Sequence, residues 1–350
     1  MRLIRVLFTL VCILLLTVPT VGRAASDELR LYIWSEYIDP AIIESFERET
    51  GIKVLIDLYE SNEDMLAKLQ AGGVSQYDVV VPSDFIVPIL IKLGLLQPLD
   101  HSKIPNLENL DPQFLNPPFD RANRYTAAYQ WGTVGLMYRR DLITSFKGTW
   151  SILFDSKQQV GPFVLIDSQR EMMAIALKYL GYSANTTDPA QIKAAGELLL
   201  QAKKSRYALG FEGGVGGKNK VLAGVATAAV VYNGDAIRAT EEDPNVAFVV
   251  PDEGSVIWVD SLAVPARAPN PAAAHKFINF ILDPRIGAQL SNFNRYATPN
   301  AASLPMINPE DRSNSAIYPS PEVMKKLEYI LDLGKDLRLY DEVWTMVKSR

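Results

Sequence analysis

Short runs rich in valine, isoleucine and leucine alternate with amphipathic helical segments along most of this chain. That alternation restricts the fold more than any other feature. Leu29 to Trp34 reads as a buried strand. Asp39-Pro40 then starts a helix, with Asp as N-cap and Pro at the first helical position. Ile42, Ile43 and Phe46 share a face, and Gly51 follows as C-cap. Lys53 to Tyr59 reads as a second strand. Ser61-Asn62-Glu63-Asp64 resembles a capping box, opening a helix that ends at Gly72-Gly73. Tyr77 to Val81, stopped by Pro82, reads as a third strand, and Phe85 to Leu93 as a helix with Pro88 in its first turn. Strands alternating with helices predict an α/β domain with a mostly parallel sheet. In such sheets ligands bind beyond the carboxyl ends of the strands.

The middle of the chain repeats the pattern and predicts a second lobe. Gly161 to Ile166 is a strand, Glu171 to Leu180 a helix ending at Gly181, Asp188-Pro189 the cap of a helix to about Lys204, and Val225 to Tyr232 another strand. Gln130 to Tyr138 and Ile257 to Val264 read as crossings between lobes. Asn270 to Leu290 is helical, and the tail from Pro321 holds one or two amphipathic helices. These readings place residues 25–131 plus about 259–300 in one lobe and about 132–258 plus about 301–350 in the other, with a ligand cleft between them.

Residues 1–24 read as a secretory signal peptide. Arg2 and Arg5 precede a 13-residue apolar run from Val6 to Val18, and Gly22-Arg23-Ala24 supplies the small residues of a cleavage site. The run is shorter than the roughly 20 apolar residues that span a bilayer. Cys12, the single cysteine, lies inside it, so the remaining chain has no thiol for a disulfide, a nucleophile or a metal. Cleavage removes three arginines and no acid, which moves the formal charge from −5 to −8. That balance argues against a nucleic-acid partner. A periplasmic monomer is expected.

Catalytic and cofactor motifs are missing. His101 and His275 stand in unrelated contexts, and no His or Cys cluster has zinc-ligand spacing. Gly213-Gly214-Val215-Gly216-Gly217-Lys218 is not a phosphate-binding loop, because Asn219 stands where Ser or Thr is needed; it reads as a flexible loop. No metal, no cofactor and no catalytic residue is assigned. Paired carboxylates leave a glycosidase as the enzyme alternative.

What remains is a set of motifs at the ends of apolar runs: Trp34-Ser35-Glu36-Tyr37, Ser83-Asp84-Phe85, Ser168-Gln169-Arg170-Glu171, Tyr232-Asn233-Gly234-Asp235 and Trp258-Val259-Asp260. Ring faces attract a cation, and carboxylates accept charge-assisted bonds from its N–H groups. Rings and acids together therefore suit an organic ammonium ion. Each has a plainer reading. Trp34 and Tyr37 serve equally as core rings, Glu171 as a first-turn helix acid, Asp84 as an N-cap, Asp235 as a loop acid, and Glu36 faces either solvent or ligand. Asp260, two residues from Trp258 in an apolar strand, needs a partner if buried.

Leu31-Tyr32-Ile33-Trp34-Ser35-Glu36-Tyr37-Ile38, Tyr77-Asp78-Val79-Val80-Val81-Pro82-Ser83, Gly94-Leu95-Leu96-Gln97-Pro98-Leu99-Asp100, Trp258-Val259-Asp260-Ser261-Leu262-Ala263-Val264-Pro265 and Tyr296-Ala297-Thr298-Pro299-Asn300 resemble, in order and over nearly the whole chain, the periplasmic polyamine-binding proteins of ABC importers. The resemblance implies a two-lobed periplasmic-binding-protein fold of two mostly parallel sheet domains, joined by a hinge with multiple chain crossings. Such a clamp closes on a polyamine and docks on an inner-membrane permease. It implies that Trp34, Tyr37, Phe85, Tyr232 and Trp258 line the slot and that Asp260 and Glu171 grip amino groups. Asp235 matches an acid of the putrescine-preferring branch, Ser83 a polar end contact, and Tyr296 a further slot tyrosine. Ser168 stands where spermidine binders carry Asp, Tyr232 where they carry Trp, and Ile330 where a Gln contacts ligand; Asp84 is an extra acid. These departures leave open a shorter diamine or a related amine, such as an opine or amino-acid derivative, and a sensor role leaves the same clamp intact.

Overall fold

The computed structural model describes residues 28–350, so the stretch read as a signal peptide and Cys12 lie outside the described residues. Ten strands are described: β1 (Glu28–Trp34), β2 (Lys53–Tyr59), β3 (Val79–Val80), β4 (Thr126–Arg139), β5 (Phe163–Ile166), β6 (Ala208–Glu212), β7 (Ala228–Tyr232), β8 (Val246–Val249), β9 (Ser255–Ala263) and β10 (Leu327–Tyr329).

Two parallel sets form the lobes. In the first, β1 lies between β2 and β3. The helix Pro40–Thr50 is capped as its sequence requires, with the Asp39 side chain accepting from the Ala41 N–H at 2.9 Å. Ser61 caps the helix Asn62–Gln70, accepting from Asp64 N at 3.1 Å. Phe46, fully buried, meets Phe277 and Phe280 of the helix Pro271–Ile281 at ring separations of 5.1 and 5.4 Å. The helical stretch expected from Asn270 is two helices. It breaks at Asp283-Pro284, where proline has no N–H to continue the ladder, and resumes as Pro284–Asn294. In the second set, β5 lies between β6 and β7. The helices Gln169–Tyr179 and Pro189–Lys203 pack with the C-terminal helix Leu337–Ser349.

Two long strands join the sets. β4 runs antiparallel to β9 from Thr126 opposite Ala263 to Thr133 opposite Ile257, then antiparallel to β7 from Val134 opposite Tyr232. β3 pairs with β9 at Val80 and Ala263. The order β2-β1-β3-β9-β4-β7-β5-β6, with β8 on β4 and β10 on β9, is one mixed sheet passing through both lobes. The crossings anticipated at 130–138 and 257–264 are thus members of the sheet. The tail makes a third passage: its Ala301–Met306 turn packs on the helix Pro284–Asn294, and β10 then lies parallel to the start of β9. Along β9 every residue is buried. Among the described residues no helix is long and apolar enough to cross a membrane.

Replacing Phe46 with alanine removes a fully buried ring from the first lobe and should lower the free energy of unfolding by about 3–5 kcal/mol. Urea unfolding followed by circular dichroism measures the loss; a change below about 1 kcal/mol would contradict the packing described.

Candidate ligand-binding site

The carboxyl end of β1 and the face of β9 turned towards it converge between the lobes. Trp34, the last residue of β1, is held by its indole N–H donating to Val81 O at 3.0 Å and by the Tyr59 ring at 4.5 Å. Tyr37 follows three residues later. Its backbone carbonyl accepts from the Tyr129 hydroxyl at 2.7 Å, and its ring meets Tyr296 edge-on at 5.4 Å. Side chains alternate along a strand, so Trp258 and Asp260 of β9 share one face while Val259 faces the other way. The Trp258 ring meets Tyr232 at 5.8 Å and Tyr296 at 5.2 Å. Tyr296 enters because residue 234 is glycine; a Cβ there would stand 2.6 Å from its ring.

The rings of Trp34, Tyr37, Tyr232, Trp258 and Tyr296, with Ser35, Ser83, Glu171, Asp235 and Asp260, line one cavity of some 460 Å³. Asp260 accepts from the Ser83 hydroxyl at 2.6 Å, and Ser83 is oriented in turn by Asn62, whose Nδ2 donates to Ser83 Oγ at 3.0 Å. The Tyr37 hydroxyl lies close to Asp260 without a well-formed hydrogen bond. Glu171, in the first turn of the helix Gln169–Tyr179, accepts from the Tyr232 hydroxyl at 2.7 Å. Burial pushes both carboxyl groups up to about 7, against the pull of these hydroxyl donors. Asp235 is also raised by burial, but Arg238 and Lys218 pull against it, and Arg238 forms an ion pair with it.

Four of the residues singled out from sequence do not line this cavity. Glu36 has a left-handed backbone, φ +53°, and its carboxylate meets Lys218 Nζ at 2.7 Å and Arg238 Nη2 at 2.8 Å. Although partial burial works the other way, these cations hold Glu36 below the usual carboxylate range. Asp84 accepts from the backbone N–H groups of Phe85 and Val259, at 2.7 and 3.3 Å. The turn at 84–86 puts Asp84 and Phe85 on the Val259 side of β9. There, with Ile330, they line a separate cavity of some 940 Å³. Ser168 borders a smaller void of some 230 Å³ that shares Trp34, Gly214 and Tyr232 with the main one.

Two wall residues went unread. The segment expected to be a flexible loop puts Gly214 and Val215 into the cavity wall and starts the helix Gly216–Leu222. Gly214 has φ +49°, and a Cβ there would lie 1.6 Å from Glu60 Oε2 in the opposite lobe. Four glycines around a helix start, two ahead of it and two in its first turn, were the available signal; the use of Gly214 as an interlobe contact depends on tertiary approach. Among the described residues no group of three His, Cys, Asp or Glu side chains is arranged to hold a metal ion.

Two α/β lobes, strands passing between them and a ring-lined cavity at the junction define a protein that clasps a small solute. The chain belongs to the family of bacterial extracellular solute-binding proteins, whose sequence model matches residues 41–316. It is 37% identical over 329 residues to the spermidine/putrescine-binding periplasmic protein of Salmonella typhimurium, covering 93% of this chain and 92% of that one. It is 37% identical over 358 residues to a putrescine-binding periplasmic protein of Pseudomonas aeruginosa, covering 95% of each. A solved spermidine/putrescine ABC transporter substrate-binding protein of Streptococcus pneumoniae superposes with a TM-score of 0.77 at 32% identity, over 92% of this chain and 98% of that one. The chain is therefore a solute-binding protein of the ABC-transporter type and not an enzyme.

The raised acids fix a pH dependence of stability. Unfolding returns Asp260 and Glu171 to roughly pH 4, so between there and about 7 the folded state holds more protons than the unfolded one. For these two groups, stability falls as pH rises through that window and levels off above it. Thermal unfolding of ligand-free protein at about pH 5 and about pH 8 should show the drop, and Asp260→Asn should shrink it. An unchanged slope in Asp260→Asn would show that Asp260 titrates normally.

Proposed function

We propose that this protein captures a polyamine cation in the cleft and delivers it to an ABC importer by closing its lobes on it. The observation that carries the reading is the pair Asp260 and Glu171. Both are buried in a wall of rings, both are bonded by neutral hydroxyls, and neither has an ion pair with a cation of the described residues. Uncompensated buried carboxylates are costly, and an ammonium ion at each removes that cost. Trp34, Tyr37, Tyr232, Trp258 and Tyr296 exclude water, present ring faces to the cation and leave a path for a linear alkyl chain. The names of the relatives, which cite spermidine and putrescine, support the same solute class.

The lobe boundaries read from the sequence put the hinge on β4 and β9, near where β4 leaves β9 for β7. The signal peptide, residues 1–24, directs export to the periplasm, where the closed monomer docks transiently on the inner-membrane permease. No nucleic acid takes part.

Calorimetric titration of the mature protein, stripped of carried-over ligand by unfolding and refolding, tests the reading. Putrescine, cadaverine, spermidine and spermine are the ligands; arginine and γ-aminobutyrate are controls. Saturable one-to-one binding of a polyamine is expected. Asp260→Asn and Glu171→Gln should each cost about 2–5 kcal/mol of binding. Asp252→Asn, at an exposed surface pair with Lys326, should cost under about 1 kcal/mol. Equal losses at all three positions, or binding of a control alone, would overturn the assignment.

A further inference from the structure

Taking the cleft as a polyamine site, we propose that Lys218 and Arg238 limit the ligand charge it accepts to two, so that it takes a linear diamine in preference to a triamine or tetraamine.

Asp260, Glu171, Asp235, Glu36 and Glu60 lie in or beside the cavity, the exposed Glu63 is near enough to act on Glu171, and their partners differ in kind. Asp260 and Glu171 receive hydroxyl donors. Asp235 and Glu36 share the cations of the second lobe: Arg238 pairs with both, and Lys218 pairs with Glu36 at 2.7 Å while also acting on Asp235. Two acids and two cations leave that end of the cleft electrically neutral. Lys218 has only 5% of its side chain exposed, so little solvent screens its charge. In chemical terms a primary ammonium belonging to the protein stands where a third ammonium of a ligand would need its counter-charge. The fifth acid, Glu60, is exposed, accepts from the Ser35 hydroxyl at 3.2 Å and is open to water. Asp167, beside it in the smaller void, already holds Lys348 at 2.7 Å. A third ligand charge is therefore desolvated without a buried partner.

The geometry places each cation with a reason. The glycine loop lets the second lobe approach Glu60, which brings the helix Gly216–Leu222 and Lys218 to the mouth. The left-handed turn at Glu36 aims its carboxylate across the cleft to meet Lys218.

Two substitutions change the charge of this end in opposite directions. Lys218→Met leaves it at net −1, and Glu36→Gln leaves it at net +1. Each also removes an interlobe ion pair, so absolute affinity falls for every ligand, and the ratio of spermidine Kd to putrescine Kd is the readout. In the wild type that ratio should be roughly tenfold or more. Lys218→Met should narrow it by about tenfold, and Glu36→Gln should widen it. If Lys218→Met does not fold, Glu36→Gln, near-isosteric and half-exposed, decides alone. A wild type that prefers spermidine overturns the proposal. So do equal losses for every ligand in both variants, which would make Lys218 and Glu36 ties between the lobes and nothing more. A selective loss of spermidine in Glu60→Gln also overturns it, because the third charge would then sit at Glu60. Absence of any polyamine binding is a different result: it overturns the reading of the cleft itself.

Discussion

Two carboxyl groups set into an aromatic wall without a cation beside them are the constraint to which the rest of the molecule answers. Burial, with a smaller push from neighbouring carboxylates, drives Asp260 and Glu171 up to about 7, and the protein supplies only hydroxyl donors in compensation. Keeping the two groups there requires a scaffold that resists their wish for water. Asp260 sits on β9, whose nine residues are all buried, and its donor Ser83 is fixed by Asn62. Glu171 sits in the first turn of a helix of the other lobe, where the backbone dipole favours negative charge. The acids thus reach one cavity from separate supports, and the cavity exists only while the lobes are apposed.

Much of this arrangement is legible in the chain before folding. Asp39-Pro40, Ser61 and Asp188-Pro189 cap helices as their local chemistry dictates, because a cap depends on residues within one turn. Trp258 and Asp260 declare a shared face through the two-residue period of a strand. The unread parts depend on distant partners. Glu36 looks like a ligand acid beside Trp34 and Tyr37, yet Lys218 and Arg238, some 200 positions away, claim it. Asp84 and Phe85 follow Ser83 directly, yet they line the cavity on the Val259 side of β9, because the chain turns at 84–86 and leaves the β-bridge that Ser83 makes with Asp260. The glycines at 213–217 carry no periodicity, and only the approach of Glu60 gives them a role.

The joining strands have consequences for closure. A clamp whose lobes were tied by flexible loops would wander through many relative orientations, and each ligand would bear the entropy of ordering them. Here β4 and β9 stay hydrogen-bonded to one another through the junction; β9 pairs with β3 of the first set and β4 with β7 of the second. On the proposed hinge, relative motion bends and twists the β4–β9 ribbon, with the passage of the tail beside it. The register between these strands shifts at Ala128 and Gln130. Irregular pairing there lowers the resistance of the ribbon to twist.

Release poses the opposite problem from capture, and the same physics answers it. With the lobes together, rings and backbone keep water from Asp260 and Glu171, which strengthens their attraction for an ammonium ion because the local dielectric is low. Moving the helix that carries Glu171 away from β9 exposes both carboxylates to solvent. Their pKa values then return towards ordinary carboxylate values, and each attraction weakens to the small worth of a surface ion pair. The pairs between Glu36, Lys218 and Arg238 bridge the lobes too, and separation hydrates them at the same moment. A partner that pulls the lobes apart therefore needs no contact with the solute. Solvation of the acids reduces the affinity, and the solute leaves towards whatever path the partner opens.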